Sequence, residues 1–172
     1  MWGELYYQVI EPRTWITSTG LGTMGFGFPA AIGAKVAKPD VPVVDLAGDG
    51  SFRMTENSLS TCMAEDIPVI VVILNNSTLG MVEQWQRLFY DRRYSGVKLG
   101  NIPDFVKLVE AYGAQGLHAQ SIKEFEKAFK EAIISDVTTV IDCPVSPEED
   151  VFPFVPPGRG LNEVLFDSEG QK

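Results

Sequence analysis

Residues 42–81 read PVVDLAGDGSFRMTENSLSTCMAEDIPVIVVILNNSTLGM and decide the fold that we predict for this chain. Two apolar runs in this stretch, residues 42–47 and 69–74, have the length and composition of buried strands, and residues 55–66 between them have helix length. Strands joined through a helix lie parallel, so their carboxyl ends meet at one edge of the sheet, where open α/β folds bind ligands. The residues that follow each run are therefore candidates for a binding site.

Polar residues follow both predicted strands. Asp49 lies between two glycines after the first strand, and Asn76 follows the second. Mg²⁺ takes six oxygen ligands, usually one or two protein carboxylates together with phosphate and water oxygens. Asp49, Asn76 and a backbone carbonyl near Thr78 could supply the protein ligands, while the N–H groups of Gly50 and Ser51 could point at a diphosphate from a helix start. Each motif alone is common in ordinary turns, and their pairing at two strand ends favours the metal site.

The rest of the chain alternates apolar strands with amphipathic helices. This alternation predicts an α/β fold with a doubly wound, mainly parallel sheet and helices on both faces. Pro29 fits the first turn of a helix, and a capping box formed by Ser121 and Glu124 opens the last one. The inward face of that last helix is predicted to carry Ile122, Phe125, Phe129 and Ile133. Further strands are predicted at residues 14–17, 115–119 and 138–143, and further helices at residues 2–10, 30–37, 81–89 and 103–112.

The domain organisation follows from the same pattern. Residues 1–144 are predicted to form one diphosphate- and Mg²⁺-binding domain. Its first helix comes without a preceding strand, so we expect the first strand of the domain to be missing. Residues 145–172 are rich in Pro, Glu and Gly and are predicted to form an irregular C-terminal tail.

The composition excludes several classes of protein. With 45% hydrophobic and 22% charged residues, the chain resembles a globular domain. The net charge of −9 argues against nucleic acid or an anionic membrane as a partner. No apolar run approaches the roughly 20 residues that span a bilayer, and no signal-peptide pattern opens the chain. Cys62 and Cys143 lack metal-binding spacing and are expected to be buried free thiols, so we expect a cytoplasmic location.

A glycine-rich run offers a competing interpretation as a dinucleotide-binding site. Gly20, Gly22 and Gly25 fit the GxGxxG pattern, and Asp45 follows where an acidic ribose ligand is expected. However, Asp45 falls inside a predicted strand and not at its tip. Pro29 also delays the predicted helix, so the last glycine would not lie in its first turn. These two features make the dinucleotide interpretation the weaker one.

Other residues near the predicted ligand edge have two interpretations each. Met24 and Met81 lie in glycine-bounded loops, and Trp85 shares a helix face with Met81 because it follows four residues later. Trp85 is either a packing residue or an aromatic wall over the ligand. His118 is expected to be either structural or exposed, and we assign no chemistry to it. Three arginines could bind a substrate carboxylate or be solvated surface charges: Arg87, Arg92 and Arg93.

The motifs resemble those of thiamine-diphosphate enzymes, in which GDG is followed by NN one helix and one strand later. Four blocks are similar to the catalytic (large) subunit of acetolactate (acetohydroxyacid) synthase, C-terminal thiamine-diphosphate-binding domain. They are GLGTMGFGFPAAIGA at residues 20–34, GDGSF at 48–52, GMVEQWQRLFY at 80–90 with RYS at 93–95, and PPGRGLNE at 156–163. The resemblance covers nearly the whole chain.

The resemblance implies roles for the residues in these blocks. Asp49, Asn76 and the backbone oxygen of Thr78 would ligate Mg²⁺. The residues implied to act in catalysis are Met24, which would bend the cofactor, Met81, and Trp85, which would line the channel for the second substrate. The residues implied to contact thiamine diphosphate are Gly22, Thr23, Met24, Asp49, Gly50, Ser51, Asn76, Ser77, Thr78, Leu79, Gly80 and Met81.

The resemblance also implies a reaction and partners. The reaction is the condensation of pyruvate with a second 2-keto acid, pyruvate or 2-ketobutyrate, in branched-chain amino acid biosynthesis. FAD belongs to the full enzyme but is bound mostly outside the part that this chain matches. The glutamate that activates the cofactor belongs to another domain or chain. Partners would be further copies in a homo-oligomer, the chain or domain with that glutamate, and possibly a regulatory small subunit.

The chain matches only the last of three domains in this family, so we expect it to be inactive alone. Two alternatives stay open at this point. The chain could be one subunit of a split thiamine-diphosphate decarboxylase, or a non-catalytic remnant that binds the cofactor or a partner. A dinucleotide-dependent oxidoreductase is the remaining alternative.

Overall fold

The computed structural model describes residues 1–100 and 103–167 and has a parallel sheet at its centre. Its four strands lie in the order β1-β2-β4-β3, and all three neighbouring pairs are parallel. The predicted α/β fold with a parallel sheet is therefore confirmed. The strands are β1 (Val44–Gly48), β2 (Ile70–Asn75), β3 (Gln115–His118) and β4 (Thr139–Pro144).

Seven α-helices occur in the described residues, and the longest has 12 residues. None of them is long and apolar enough to cross a membrane. A 3-10 turn at Glu56–Ser58 precedes the fourth helix. The helices are α1 (Trp2–Tyr6), α2 (Gly27–Ala37), α3 (Asp49–Arg53), α4 (Leu59–Ala64), α5 (Gly80–Phe89), α6 (Phe105–Ala111) and α7 (Ile122–Ile133).

The helix predicted at residues 55–66 is present only in part: residues 56–58 form the 3-10 turn, and α4 spans Leu59–Ala64. The chain enters α3 directly at Asp49 and then leaves helical geometry at Thr55, which has φ −138° and ψ 16°. The Thr55 hydroxyl donates a hydrogen bond to the Gly25 carbonyl oxygen at 3.1 Å, so this residue joins the glycine-rich run to the end of α3. A contact between residues distant in sequence therefore separates α3 from the 3-10 turn and α4, and helix periodicity alone does not reveal it.

Two other local predictions near the N-terminus are also wrong. Residues 14–17 do not form a strand, because Trp15 stacks on Tyr7 with ring centroids 5.1 Å apart and has no sheet neighbour. The helix predicted over residues 2–10 ends at Tyr6. The helix predicted at residues 30–37 begins earlier, at Gly27, with Pro29 in its first turn as expected.

The larger core lies on the sheet face covered by α2, α3, α4 and α6. Its centre is a row of three aromatic rings, in which Phe52 lies 5.4 Å from Phe28 and 5.8 Å from Phe105. Each ring comes from a different helix, so Phe52 connects α3 to α2 and α6. Aliphatic side chains from the strands complete this core: Ala47, Val71, Ile73 and Val140.

Helix α7 covers the opposite face, so helices lie on both faces of the sheet as predicted. The face of α7 that contacts the sheet differs from the prediction: Ala128 and Ala132 are buried, whereas Ile122 is 80% exposed and Ile133 is also exposed. The predicted stripe placed Ile122 and Ile133 inward, and this was wrong because the two alanines allow the helix to approach the sheet closely. Phe125 and Phe129 do pack against this second core.

The predicted capping box at the start of α7 is present. The Ser121 hydroxyl accepts a hydrogen bond from the Glu124 N–H at 3.3 Å. The Glu124 carboxylate in return accepts from the N–H of Gln120 at 2.8 Å, one residue before the expected donor. The N–H of Glu124, which has no partner within the helix, and the N–H of Gln120 just before the N-cap are thereby satisfied.

The tail packs against α5. The described part of the tail, residues 145–167, contains an antiparallel bridge between Phe154 and Leu165. Arg87 of α5 forms an ion pair with Asp150 at 2.5 Å, and both side chains are nearly buried. The tail is therefore held on the helix that follows the proposed binding loop.

The aromatic row predicts a large loss of stability for Phe52→Ala. This substitution removes a fully buried ring from between two others, and we expect the free energy of unfolding to fall by about 3–5 kcal/mol. Urea denaturation measures this change. The control Phe166→Ala removes an exposed ring and should change the free energy by less than about 0.5 kcal/mol. Equal effects of the two substitutions would contradict the assignment of Phe52 to the core.

Candidate functional site

The carboxyl ends of β1 and β2 place Asp49 beside the chain around Asn76. Asp49 is the first residue of α3, directly after β1, and is 1% exposed. Burial raises the pKa of its carboxyl group, whereas the charge of Arg53 and hydrogen bonds from the backbone N–H groups of Gly50 and Asn76 act in the opposite direction. The Oδ2 atom is buried and has no hydrogen-bond partner in the described part of the chain. A buried carboxylate oxygen without a hydrogen-bond partner at a ligand edge can act as a metal ligand.

The loop after β2, which we call the metal loop (residues 75–79), is held by its own side chains. The Asn76 amide oxygen accepts from the Thr78 N–H at 3.2 Å, and Ser77 has a left-handed backbone with φ 57°. Asn75 has a different role from Asn76. Its amide oxygen accepts from the Ser77 N–H at 3.2 Å, and its amide group donates to Asp142 at 2.9 Å. Asn75 therefore fixes the loop to β4, which leaves Asn76 as the candidate ligand.

The glycine-rich run meets α3 at the same edge of the sheet. The Gly25 N–H donates to the Ser51 hydroxyl oxygen at 2.9 Å. A β-carbon on Gly50 would lie 3.0 Å from Leu79 and 3.1 Å from the Met24 methyl group, so only glycine fits without a shift of these side chains. The structure thus brings Met24, Gly50, Ser51 and Leu79 together, as the sequence predicted for a shared cofactor site.

Gly22 and Thr23 lie in an exposed turn. The Gly22 N–H donates to the Ser18 carbonyl oxygen at 2.9 Å, and the Thr23 carbonyl oxygen accepts from the Phe26 N–H at 3.3 Å. Gly22 has φ 60°, a conformation that favours glycine. Both residues precede Met24 directly, so their contact with a cofactor stays a prediction that the geometry of the turn permits.

Helix α5 shows an inverted pattern of burial. Its buried residues are polar, Glu83 and Gln84, whereas Val82 is exposed and Trp85 is 39% exposed. Met81 is partly exposed one turn before Trp85. The helix therefore turns apolar side chains outward, next to the metal loop, and this arrangement suits an aromatic wall beside a bound ligand better than a packing role for Trp85.

Partners for the buried polar residues explain this inversion. The Gln84 amide donates to the Val151 carbonyl oxygen at 3.1 Å and accepts from the Val151 N–H at 2.8 Å.

Arg87 forms its ion pair with Asp150, so it is not available to bind a substrate carboxylate. Arg93 is exposed and donates to the Tyr90 carbonyl oxygen at 3.1 Å.

Asp45 does not fit the dinucleotide interpretation. It is the second residue of β1, and its side chain is buried against the start of α2. A β-carbon on Gly27 would lie 2.2 Å from the Asp45 carboxylate, so the carboxylate faces the helix and not the ligand edge. The glycine-rich run also lacks the strand that should precede it, because residues 14–17 are not extended into the sheet.

Sequence reasoning missed several polar residues near the site. Asn75, Asp142, Glu83 and Lys98 form contacts that fix the metal loop, but only the repeated asparagine was visible as a motif. His118, to which we assigned no chemistry, lies 3.3 Å from Asp142.

The described residues contain no cluster of three or more His, Cys, Asp or Glu side chains that could hold a metal. The predicted site instead has one carboxylate, one carboxamide and one backbone carbonyl. Such a set does not complete six-fold coordination, and phosphate and water oxygens must provide the remainder. This requirement fits Mg²⁺ bound together with a diphosphate.

Comparison with known proteins gives the class to which this site belongs. The family described as "Thiamine pyrophosphate enzyme, C-terminal TPP binding domain" matches residues 1–143, and the chain belongs to this family. Thiamine pyrophosphate is another name for thiamine diphosphate.

Curated relatives are acetolactate synthases, as the sequence resemblance implied. The chain is 48% identical over 165 residues to a probable acetolactate synthase large subunit of Methanocaldococcus jannaschii, which covers 96% of this chain and 28% of that protein. It is 44% identical to the mitochondrial acetolactate synthase catalytic subunit of Saccharomyces cerevisiae, over 100% of this chain and 25% of that protein. The chain thus spans about a quarter of the length of the curated relatives it matches.

A solved structure supports the fold. The thiamine diphosphate-dependent 4-hydroxybenzoylformate decarboxylase of Rhodococcus jostii RHA1 superposes with a TM-score of 0.69 and 36% sequence identity. The match covers 73% of this chain and 24% of that chain. The fold is therefore shared with thiamine-diphosphate enzymes of more than one activity.

The environment of Asp45 predicts a pH-dependent loss of stability. Burial raises the pKa of Asp45 from 3.8 to about 6. Between these values the folded protein retains a proton that the unfolded chain releases, so the contribution of Asp45 is fully present below the unfolded pKa of 3.8 and is lost as the pH rises through about 6. We expect the wild-type protein to lose about 3 kcal/mol between about pH 3 and pH 7 relative to Asp45→Asn.

Urea denaturation at a series of pH values checks this expectation. The exposed aspartate Asp136 provides the control, since Asp136→Asn should retain the wild-type dependence on pH. Parallel pH profiles for the wild type and Asp45→Asn would show that the buried carboxyl group does not have a raised pKa.

Proposed function

We propose that this chain is the C-terminal cofactor-binding domain of an acetolactate synthase catalytic subunit, and that it holds the diphosphate of thiamine diphosphate through Mg²⁺. The observation that carries this proposal is the buried Oδ2 atom of Asp49, which has no partner in the described residues and lies at the sheet edge next to the metal loop. The family match and the acetolactate synthase relatives support the identity of the cofactor and the reaction.

The residues at this edge divide the binding of the cofactor between them. Asp49 would supply the negative charge to Mg²⁺, Asn76 a neutral oxygen, and the Thr78 backbone a third oxygen. The backbone at Gly50 and Gly80 would approach the phosphates. When bound, thiamine diphosphate supplies the stabilisation of a carbanion that the amino acids of the chain cannot provide.

The apolar side chains beside the metal loop would position the reactive end of the cofactor. The Met24 methyl group lies beside Gly50, 3.1 Å from the position that a β-carbon would take, and Met24 would support the cofactor in its bent form. The exposed side chains of Met81 and Trp85 would exclude water and form one wall of the channel for the second 2-keto acid. These contacts orient the substrates, pyruvate and 2-ketobutyrate, and do not themselves transfer protons.

The complete enzyme would need further domains or chains. Exposed apolar side chains surround the ligand edge, among them Leu21, Phe26 and Val82, and such a patch suits contact with another protein surface. We propose that this contact brings the activating glutamate to the cofactor and that the assembly is a homo-oligomer, with FAD bound mostly by other domains. A regulatory small subunit and a cytoplasmic location stay predictions.

A split thiamine-diphosphate decarboxylase is the second candidate. The similarity to the Rhodococcus jostii decarboxylase favours it, because that enzyme shares the fold at 36% identity. The acetolactate synthases match at higher identity and over more of this chain, so we prefer the synthase. A cofactor-binding remnant without activity is a third outcome that the experiments below would detect.

The role of Asp49 predicts a loss of cofactor binding in Asp49→Ala. This substitution removes the carboxylate from the metal site, and we expect the affinity for thiamine diphosphate with Mg²⁺ to fall by about 100-fold or more, as measured by titration calorimetry. Asp136→Asn, which removes an exposed carboxylate elsewhere, should bind like the wild type. Unchanged binding by Asp49→Ala would show that the metal site is not at this edge.

The proposed assembly predicts activity only in a mixture. The chain alone should produce no acetolactate from pyruvate, because the activating glutamate lies on another domain. Mixing it with a chain that carries the missing domains of an acetolactate synthase should produce acetolactate, and the same mixture with Asp49→Ala should not. Decarboxylation of a 2-keto acid without condensation would favour the split decarboxylase, and acetolactate formation by the isolated chain would contradict the need for a second domain.

A further inference from the structure

Glu83 is a buried acidic residue that the proposed function does not use. It lies in the first turn of α5 and is 3% exposed. One oxygen of its carboxylate accepts a hydrogen bond from the Thr78 hydroxyl group, and the other forms an ion pair with the Lys98 ammonium group at 2.5 Å. Both oxygens therefore have partners, and both partners belong to chain segments outside the helix.

The two partners of Glu83 are paired with each other. Thr78 and Lys98 form an antiparallel bridge. On either side of it, the Leu79 N–H donates to the Val97 carbonyl oxygen and the Leu99 N–H donates to the Ser77 carbonyl oxygen, each at 2.9 Å. A short segment, residues 97–100, thus runs along the metal loop, and we call it the bracing segment.

The far end of the bracing segment is fixed to α3. Arg53 donates hydrogen bonds to the carbonyl oxygens of Leu99 and Gly100, at 3.2 and 3.3 Å. Arg53 closes the helix that begins at Asp49. The bracing segment therefore connects the two halves of the proposed metal site, with Arg53 at the Asp49 side and Glu83 at the Thr78 side.

We infer that Glu83 is a positioning residue that holds the metal loop against the bracing segment and so sets the place of the Thr78 backbone oxygen. The inference rests on the proposed function to the extent that this loop binds Mg²⁺. A carboxylate in a buried place is costly unless it is paired, so its partners must remain close to it. The three side chains consequently favour one arrangement of the loop.

The demands of the metal explain why such a restraint matters. Mg²⁺ requires near-ideal octahedral geometry with oxygens at about 2.0–2.1 Å. A backbone carbonyl on a loop meets this demand only if the loop is fixed by groups outside the ligand set. Substitution of such outer groups typically lowers metal affinity by about 10- to 100-fold.

Glu83→Gln in the full 172-residue chain tests the inference, because glutamine keeps the shape of the side chain and removes its charge. Mn²⁺ serves as the probe in place of Mg²⁺, and its binding with thiamine diphosphate is measured by electron paramagnetic resonance. We expect Mn²⁺ affinity to fall by about 10- to 100-fold. We also expect the Leu79 and Leu99 amides to exchange hydrogen at least about tenfold faster, while the β2 amides of Val71 and Val72 retain their protection.

Three variants control the experiment. Glu163→Gln removes the carboxylate of an exposed ion pair with Arg159 and should change neither readout. Lys98→Met removes the other partner of the Glu83–Lys98 ion pair. It should also lower Mn²⁺ affinity and accelerate exchange at Leu79 and Leu99, so the inference can still be tested if Glu83→Gln does not fold. Glu83→Lys combined with Lys98→Glu restores an ion pair and should recover part of the lost affinity and protection.

The outcomes separate this inference from the proposed function. If Asp49→Ala abolishes Mn²⁺ binding but Glu83→Gln changes neither affinity nor exchange, the positioning role is wrong and the metal site stands. If the wild type and Asp49→Ala bind Mn²⁺ equally, the proposed function is wrong. Hydrogen exchange at the Leu79 and Leu99 amides of Glu83→Gln then decides whether Glu83 holds the metal loop. Equal acceleration of exchange in β2 and at Leu79 would overturn the inference, since it would show a general loss of stability.

Discussion

The parallel pairing of β1 with β2 is the constraint on which the site depends. Its register places Gly48 opposite Leu74, so the residues that follow each strand emerge side by side at one edge of the sheet. Asp49 and the metal loop therefore meet although 27 positions separate Asp49 from Asn76 in the sequence. A shift of the register by one residue would turn the side chains of a strand to the opposite face, and the core on both faces resists such a shift. The hydrophobic core therefore fixes the strand register, and the register places Asp49 beside the metal loop.

Polar contacts connect the elements around this edge to one another, in addition to the apolar packing of Phe52. Ser51 and Thr55 hold the glycine-rich run, Asn75 holds the loop to β4, and Glu83 with Arg53 holds the bracing segment. Hydrogen bonds have stronger directional requirements than apolar contacts, so they fix loops that a core cannot reach. This division leaves the apolar side chains of Met24, Met81 and Trp85 free to face a ligand or another domain.

The sequence predicted the four strands of the sheet well, because a local apolar run marks each of them, whereas the strand predicted at residues 14–17 was wrong. The apolar runs of β2 and β4 are buried on both faces and β1 is buried on one face only, and the turn-forming residues after them mark where the strands end. The non-helical geometry of Thr55 and the exposure of Ile122 and Ile133 could not be predicted, since each depends on a partner distant in sequence. The polar partners of the metal loop were missed for the same reason: Asp142 and Lys98 show no motif of their own, and their role arises only from pairing in space.

The contact between Gln84 and the tail has a consequence for how the two positions can vary. Gln84 forms both of its hydrogen bonds with the backbone of Val151, and neither involves the side chain of that residue. Only backbone atoms of the tail take part, so most amino acids at position 151 can preserve the contact. Proline is excluded because it lacks the N–H group. At position 84 the same contact requires a carboxamide of one length. We therefore expect most substitutions of Val151 to preserve the contact and most substitutions of Gln84 to abolish it.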